Sequence, residues 1–144
     1  MINNVIFDLD GVLIKTKDIH YESLNEALSS ASNNYLITRE EHLSTYDGLS
    51  TFKKLELLTK KKGLPENLYN SIWKNKQDIT KRKLGKISEN KCVIESIKFL
   101  KSNELKIFCC SNSIRDSLEI CLDRLGILQY FDGVYSNEDV KNPT

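Results

Sequence analysis

The chain has 144 residues with 40% hydrophobic content, enough for one packed domain or a domain with a small insertion. Its 21 basic and 20 acidic residues leave a net charge of +1, so bulk charge is silent on nucleic acid. No run reaches membrane-spanning length and the amino terminus lacks a signal pattern; the expectation is a cytoplasmic protein with no membrane and no nucleic-acid partner.

The stretch Val5-Ile6-Phe7-Asp8-Leu9-Asp10-Gly11-Val12-Leu13 opens the chain with a predicted buried strand over Val5 to Asp8 that turns at Gly11. A short apolar run ending in acids and glycine suits the carboxyl end of a parallel strand, where α/β proteins place their chemistry. Asp8 and Asp10 are two apart, which a strand would point to one face, although Asp10 falls in the loop. Two carboxylates so close call for a cation or a shared proton. Oxygen-only ligands favour a hard ion such as Mg2+, and an aspartate can serve as a nucleophile toward phosphorus. The same spacing also fits a strand that ends in a solvated acidic turn.

Thr16 or Asp18 caps a predicted helix to about Ser30, with Ile19, Leu24, Ala27 and Leu28 as its apolar stripe and His20 near its start. Thr38 and Glu41 form a capping box for a short helix that stops at Asp47-Gly48. Ser50 caps the next helix, whose Phe52, Leu55, Leu57 and Leu58 face a core. Lys60, Lys61 and Lys62 end it as a solvated basic turn suited to the macrodipole. Pro65 opens another helix to about Leu84 through Leu68, Ile72, Trp73 and Ile79. Residues 15–85 therefore read as an all-helical insertion between residues 1–14 and 86–144.

A helix follows over about Asn90 to Ser102, then a second strand over Leu105 to Cys110 that ends in Ser111-Asn112-Ser113. A helix from Ile114 to Leu125 begins at once, offering free N–H groups to an anion, and stops at Gly126. Phe131 to Ser136 is a third strand. Cys92, Cys109, Cys110 and Cys121 show no C-x-x-C spacing, so reduced, buried thiols are expected and zinc is not indicated.

Ile6-Phe7-Asp8-Leu9-Asp10-Gly11-Val12-Leu13, followed downstream by the strand ending in Ser111-Asn112, resembles the first two signatures of the haloacid dehalogenase-like hydrolases, in their helical-cap, phosphatase and β-phosphoglucomutase-like branch. The resemblance implies an α/β fold, a Rossmann-like three-layer parallel sheet with an inserted all-helical cap, here incomplete. It implies Asp8 as nucleophile and Mg2+ ligand, Asp10 as general acid/base that also touches the metal through its carbonyl, and Ser111 and Asn112 as phosphate-binding residues. His20 is a candidate substrate contact in the hinge, and Gly48 lies in the cap loop that allows close approach to substrate. Lys15 departs from the aspartate usual at that place. The implied activity is Mg2+-dependent phosphatase chemistry on a small phosphorylated metabolite through an aspartyl-phosphate intermediate. Phosphomutase action on sugar phosphates and phospho-ligand binding without turnover are the alternatives.

The segment Asn137-Glu138-Asp139-Val140-Lys141-Asn142-Pro143 resembles the approach to the third signature, whose lysine would fall at Thr144; Lys141 is the nearest candidate, three residues early. The acidic pair of the fourth signature has no counterpart. The expectation is a truncated relative whose first strand becomes a sheet edge, open to pairing in a homodimer.

Overall fold

The computed structural model describes residues 2–139. In chain order come β1 (Asn4–Phe7), α1 (Lys17–Ser29), α2 (Arg39–Glu41), α3 (Thr51–Lys62), α4 (Tyr69–Leu84), α5 (Lys91–Ser102), β2 (Lys106–Cys110), α6 (Arg115–Arg124) and β3 (Gly133–Tyr135). The chain divides into two compact units, Met1–Lys17 with Lys81–Thr144, and Asp18–Thr80. The sequence placed the two seams near 14 and 86.

The first unit is built on a parallel sheet in the order β1-β2-β3. Val5 pairs in register with Ile107 and Phe7 with Cys109, so these four share a face; Ile107 and Cys109 are fully buried. The helices joining parallel strands cross over right-handedly, and successive crossovers in one direction lie on one face. Leu118, Cys121 and Leu122 of α6 supply the apolar cover there, with Cys121 near enough to Cys109 to feel its charge. Phe7 meets Phe131 edge-on, centroids 6.3 Å apart.

β1 departs from expectation. The Val-Ile-Phe run predicted a buried strand reaching Asp8, yet the strand ends at Phe7 and Ile6 is 66% exposed. Among the described residues β1 is an edge strand.

The second unit packs helices around Leu24, Leu28, Tyr46, Leu55, Leu58 and Ile72. Burying each such side chain contributes about 1.5–3 kcal/mol. The capping box forms as expected: Glu41 N–H donates to Thr38 Oγ1 at 3.1 Å and Thr38 N–H to Glu41 Oε2 at 2.7 Å. Beyond it the chain widens into a π-helical turn over His42–Tyr46, closed by Asp47 N–H donating to the His42 carbonyl at 2.8 Å. That turn brings Tyr46 into the core.

Phe52 was expected in the core. It is 41% exposed and stacks on Trp73 with centroids 6.2 Å apart, because Leu55 and Leu58 already fill the inward side of α3. Lys62, expected in solvent, donates to the Leu36 carbonyl and lies 3.2 Å from Glu41. All four cysteines are free, but only Cys109 and Cys121 are buried; Cys92 and Cys110 are exposed.

Candidate functional site

β1 ends where its apolar run ends, and the next six residues fold into a tight turn. Gly11, at φ +82°, donates its N–H to the Ile14 carbonyl at 2.7 Å. That left-handed conformation is open to glycine at little cost. Leu13 and Ile14 both donate back to the Leu9 carbonyl, at 3.0 and 3.2 Å. Leu9 and Leu13 are buried and anchor the turn, which leaves Asp8 and Asp10 exposed on either side of Leu9.

The two carboxylates are held differently. Asp8 Oδ1 accepts the Leu9 N–H at 2.7 Å. Asp10 Oδ1 accepts the hydroxyl of Thr16, a side chain only 2% exposed, and Asp10 Oδ2 accepts Ser113 Oγ–H at 3.4 Å. Thr16, predicted as a helix cap, thus turns toward the site.

Ser111 follows β2 and is half-buried; its N–H donates to the Tyr135 carbonyl at 3.0 Å. Its Oγ accepts the Ser113 N–H at 3.1 Å, which leaves the hydroxyl proton for an acceptor outside the loop. Asn112 is exposed at the tip. The Ser113 carbonyl accepts the Asn137 N–H at 3.2 Å. Ser113 therefore ties together the segments after β1, β2 and β3, a role that its sequence position as a helix cap conceals.

The amino terminus of α6 is not open as expected. Arg115 N–H donates to Glu138 Oε2 at 2.7 Å, and Arg115 Nη2 donates to Asp139 Oδ1 at 2.6 Å. Asp139 also accepts the Ser136 N–H at 2.6 Å. The Ser136 N–H first and the Arg115 guanidinium second hold its carboxyl below the usual carboxylate range. An acidic loop of the chain itself thus caps this helix.

Behind the site, burial pushes the Cys109 thiol up to about 12, with Cys110, Asp8 and Asp10 adding to the shift. His20 lies half-buried on α1 and Gly48, at φ +74°, in the turn before α3; both belong to the second unit. Lys141 lies outside the described residues.

A family model described as haloacid dehalogenase-like hydrolase matches residues 5–144. The chain belongs to the haloacid dehalogenase-like hydrolases. Its fold is accordingly a Rossmann-like parallel sheet with a helical cap inserted after the first strand. It is 31% identical over 140 residues to the phosphorylated carbohydrates phosphatase of Thermotoga maritima, a match covering 96% of this chain and 62% of that protein. It is 27% identical over 144 residues to pyrophosphatase PpaX of Bacillus cereus, covering 98% and 62%. The crystal structure of β-phosphoglucomutase from Clostridium difficile shares the fold with a TM-score of 0.76 at 24% identity, covering 99% of this chain and 65% of that one. The chain thus spans about 62% of the length of both curated relatives.

Proposed function

We propose that this haloacid dehalogenase-like chain carries the nucleophile side of a Mg2+-dependent phosphatase acting on a small phosphorylated metabolite. The observation that carries the reading is the convergence of Asp8, Asp10, Thr16, Ser111 and Ser113 at the carboxyl ends of β1 and β2. With Asp8 Oδ1 held by Leu9 N–H, its other oxygen attacks phosphorus. The bond to the leaving oxygen breaks, and Asp10 delivers the proton that oxygen needs. Water then attacks the aspartyl phosphate, giving its proton to Asp10 and freeing Asp8 and inorganic phosphate. Ser111 and Asn112 donate to the phosphoryl oxygens, where charge is spread in the transition state. Lys141 is the candidate neutralising cation, and His20 and Gly48 are the candidate substrate contacts of the cap.

The donors fit Mg2+ in kind, since Asp8 and Asp10 offer only oxygen. They fit only in part, because no cluster of three or more His, Cys, Asp or Glu side chains occurs among the described residues. When bound, the ion supplies positive charge for the transferring phosphoryl group. A second reading, phospho-ligand binding without turnover, needs only the Ser111 hydroxyl proton that its own loop leaves available.

Hydrolysis of an aryl phosphate with and without Mg2+, by the native chain and by Asp8→Asn, tests both. Metal-dependent turnover lost in Asp8→Asn supports the phosphatase. Absent turnover, with inorganic phosphate shifting the Ser111 and Asn112 amide resonances, supports the binding reading. Neither response refutes both.

A further inference from the structure

The register of β2 with β3 ends at Cys110 and Tyr135, with one further bond from the Ser111 N–H to the Tyr135 carbonyl at 3.0 Å. Beyond it the Ser111-Asn112-Ser113 loop leaves the sheet, and the turn after β3 takes over the task of holding it. The Asn137 N–H donates to the Ser113 carbonyl at 3.2 Å, and Glu138 Oε2 accepts the Arg115 N–H at 2.7 Å. Arg115 Nη2 donates to both carboxylate oxygens of Asp139, with Oδ1 at 2.6 Å. Three consecutive residues of the turn thus each grip the segment that leads into α6. The turn is also fixed from within. Ser136 is buried, its N–H and hydroxyl donate to Asp139 Oδ2 at 2.6 and 3.0 Å, and its Oγ accepts the Glu138 N–H at 3.2 Å. One carboxylate, that of Asp139, both closes the turn and holds Arg115.

We propose that Asp139 and Arg115 are positioning residues: together they clamp the turn after β3 to the start of α6 and so set where Ser111 and Asn112 meet a phosphoryl group. The inference rests on the reading of those two residues as phosphate-binding. Bonds between a guanidinium and a carboxylate are charge-assisted, shorter and stronger than neutral ones, which suits a joint that must keep its length. The loop it holds carries the Ser111 hydroxyl, whose proton is left for an acceptor outside the loop. A displacement of about 1 Å at such a donor costs on the order of a hundredfold where orientation governs the rate. Asp132 provides the matched comparison. It accepts from Lys101 at 2.8 Å and from the Ile107 N–H at 2.7 Å at the opposite end of β3, so it supports the same strand at a distance from the loop.

The test compares the native chain with Asp139→Asn, Arg115→Gln, the double variant and Asp132→Asn. Inorganic phosphate is titrated against the Ser111 and Asn112 amide resonances, and hydrogen exchange of the Ser113 and Asn137 amides is followed without phosphate. Each single change at the clamp should weaken phosphate binding about tenfold and speed that exchange about tenfold, and the double variant should add little, because the two side chains act as one unit. Asp132→Asn should lower the urea midpoint and leave both readouts native. Three results overturn the proposal: an Asp139→Asn chain that loses stability alone, an Asp132→Asn chain that shifts both readouts as far, or a double variant as impaired as the product of the singles. A native chain that ignores phosphate overturns the phosphate-binding reading instead, and the exchange comparison then decides the clamp.

Discussion

The alternation of β2 divides the cysteines into two chemical classes, and their reactivity is calculable. Cys109 points inward and is fully buried, while Cys110 points outward. Burial first, then nearby Asp10 and Cys109, also push the Cys121 thiol up to about 12. Only the thiolate reacts. At pH 7.5 a thiol of pKa about 12 is ionised to only about three parts in a hundred thousand, whereas Cys92 and Cys110 are open to reagent. A disulfide reagent should therefore titrate two thiols, Cys92 and Cys110, rapidly in the native protein and the other two only on unfolding. The same shift makes stability depend on pH. A thiol whose folded pKa is raised stabilises the fold fully below the unfolded value, and that contribution is lost as pH rises through the folded one. By pH 10 the loss reaches roughly 2 kcal/mol per thiol. Urea midpoints should fall between pH 8 and 10 in the native chain, and fall less in a Cys109→Val, Cys121→Val double variant. Four native thiols reacting at similar rates would refute the reasoning, because Cys109 and Cys121 could not then be buried.

Thr16→Val removes a hydroxyl bond to a carboxylate, worth about 1.5–3 kcal/mol; the proposed phosphatase turnover should fall at least tenfold, with Thr16→Ser retaining most of it. Gly126 stands at φ +75° with Ile94 Cδ1 3.1 Å from where a Cβ would lie. Gly126→Ala should cost about 1–2 kcal/mol from the backbone alone, read as a lower urea midpoint. Asp132 has its carboxyl held below the usual value, first by Lys101 and then by the Ile107 N–H. A depressed carboxylate stabilises the fold above about pH 4 and loses that as pH falls through its folded value. The native chain should therefore lose urea resistance on acidification more steeply than Asp132→Asn.

What the sequence could reveal was local. The strand before Asp8, the strand before Ser111, the Thr38–Glu41 box and the left-handed glycines at Gly48 and Gly126 each depend on residues within a few positions. The bond from Thr16 to Asp10 was not legible because a hydroxyl at a helix start has two possible partners. The one it takes, Asp10, depends on how the loop after β1 closes. The capping of α6 by Glu138 links residues 23 apart, and no spacing rule announces it. The exposure of Ile6 was hidden for another reason: Val-Ile-Phe reads as a strand buried on both faces. Which face is covered follows from the hand of the crossovers and from what else packs on the sheet.

The hydrogen bonds described above for the two aspartates differ in kind, and the difference suits the roles proposed for them. A backbone N–H can only donate, so the Asp8 oxygen facing Leu9 is held as an acceptor. A hydroxyl can donate or accept. Thr16 and Ser113 can therefore keep Asp10 in place whether it is ionised or protonated, by rotating a hydrogen and moving no heavy atom. The proposed reaction asks Asp10 to give up a proton in one half and regain it in the other, and asks no protonation change of Asp8. The residue proposed to cycle has two hydroxyl partners, Thr16 and Ser113, while the proposed nucleophile accepts from a backbone N–H.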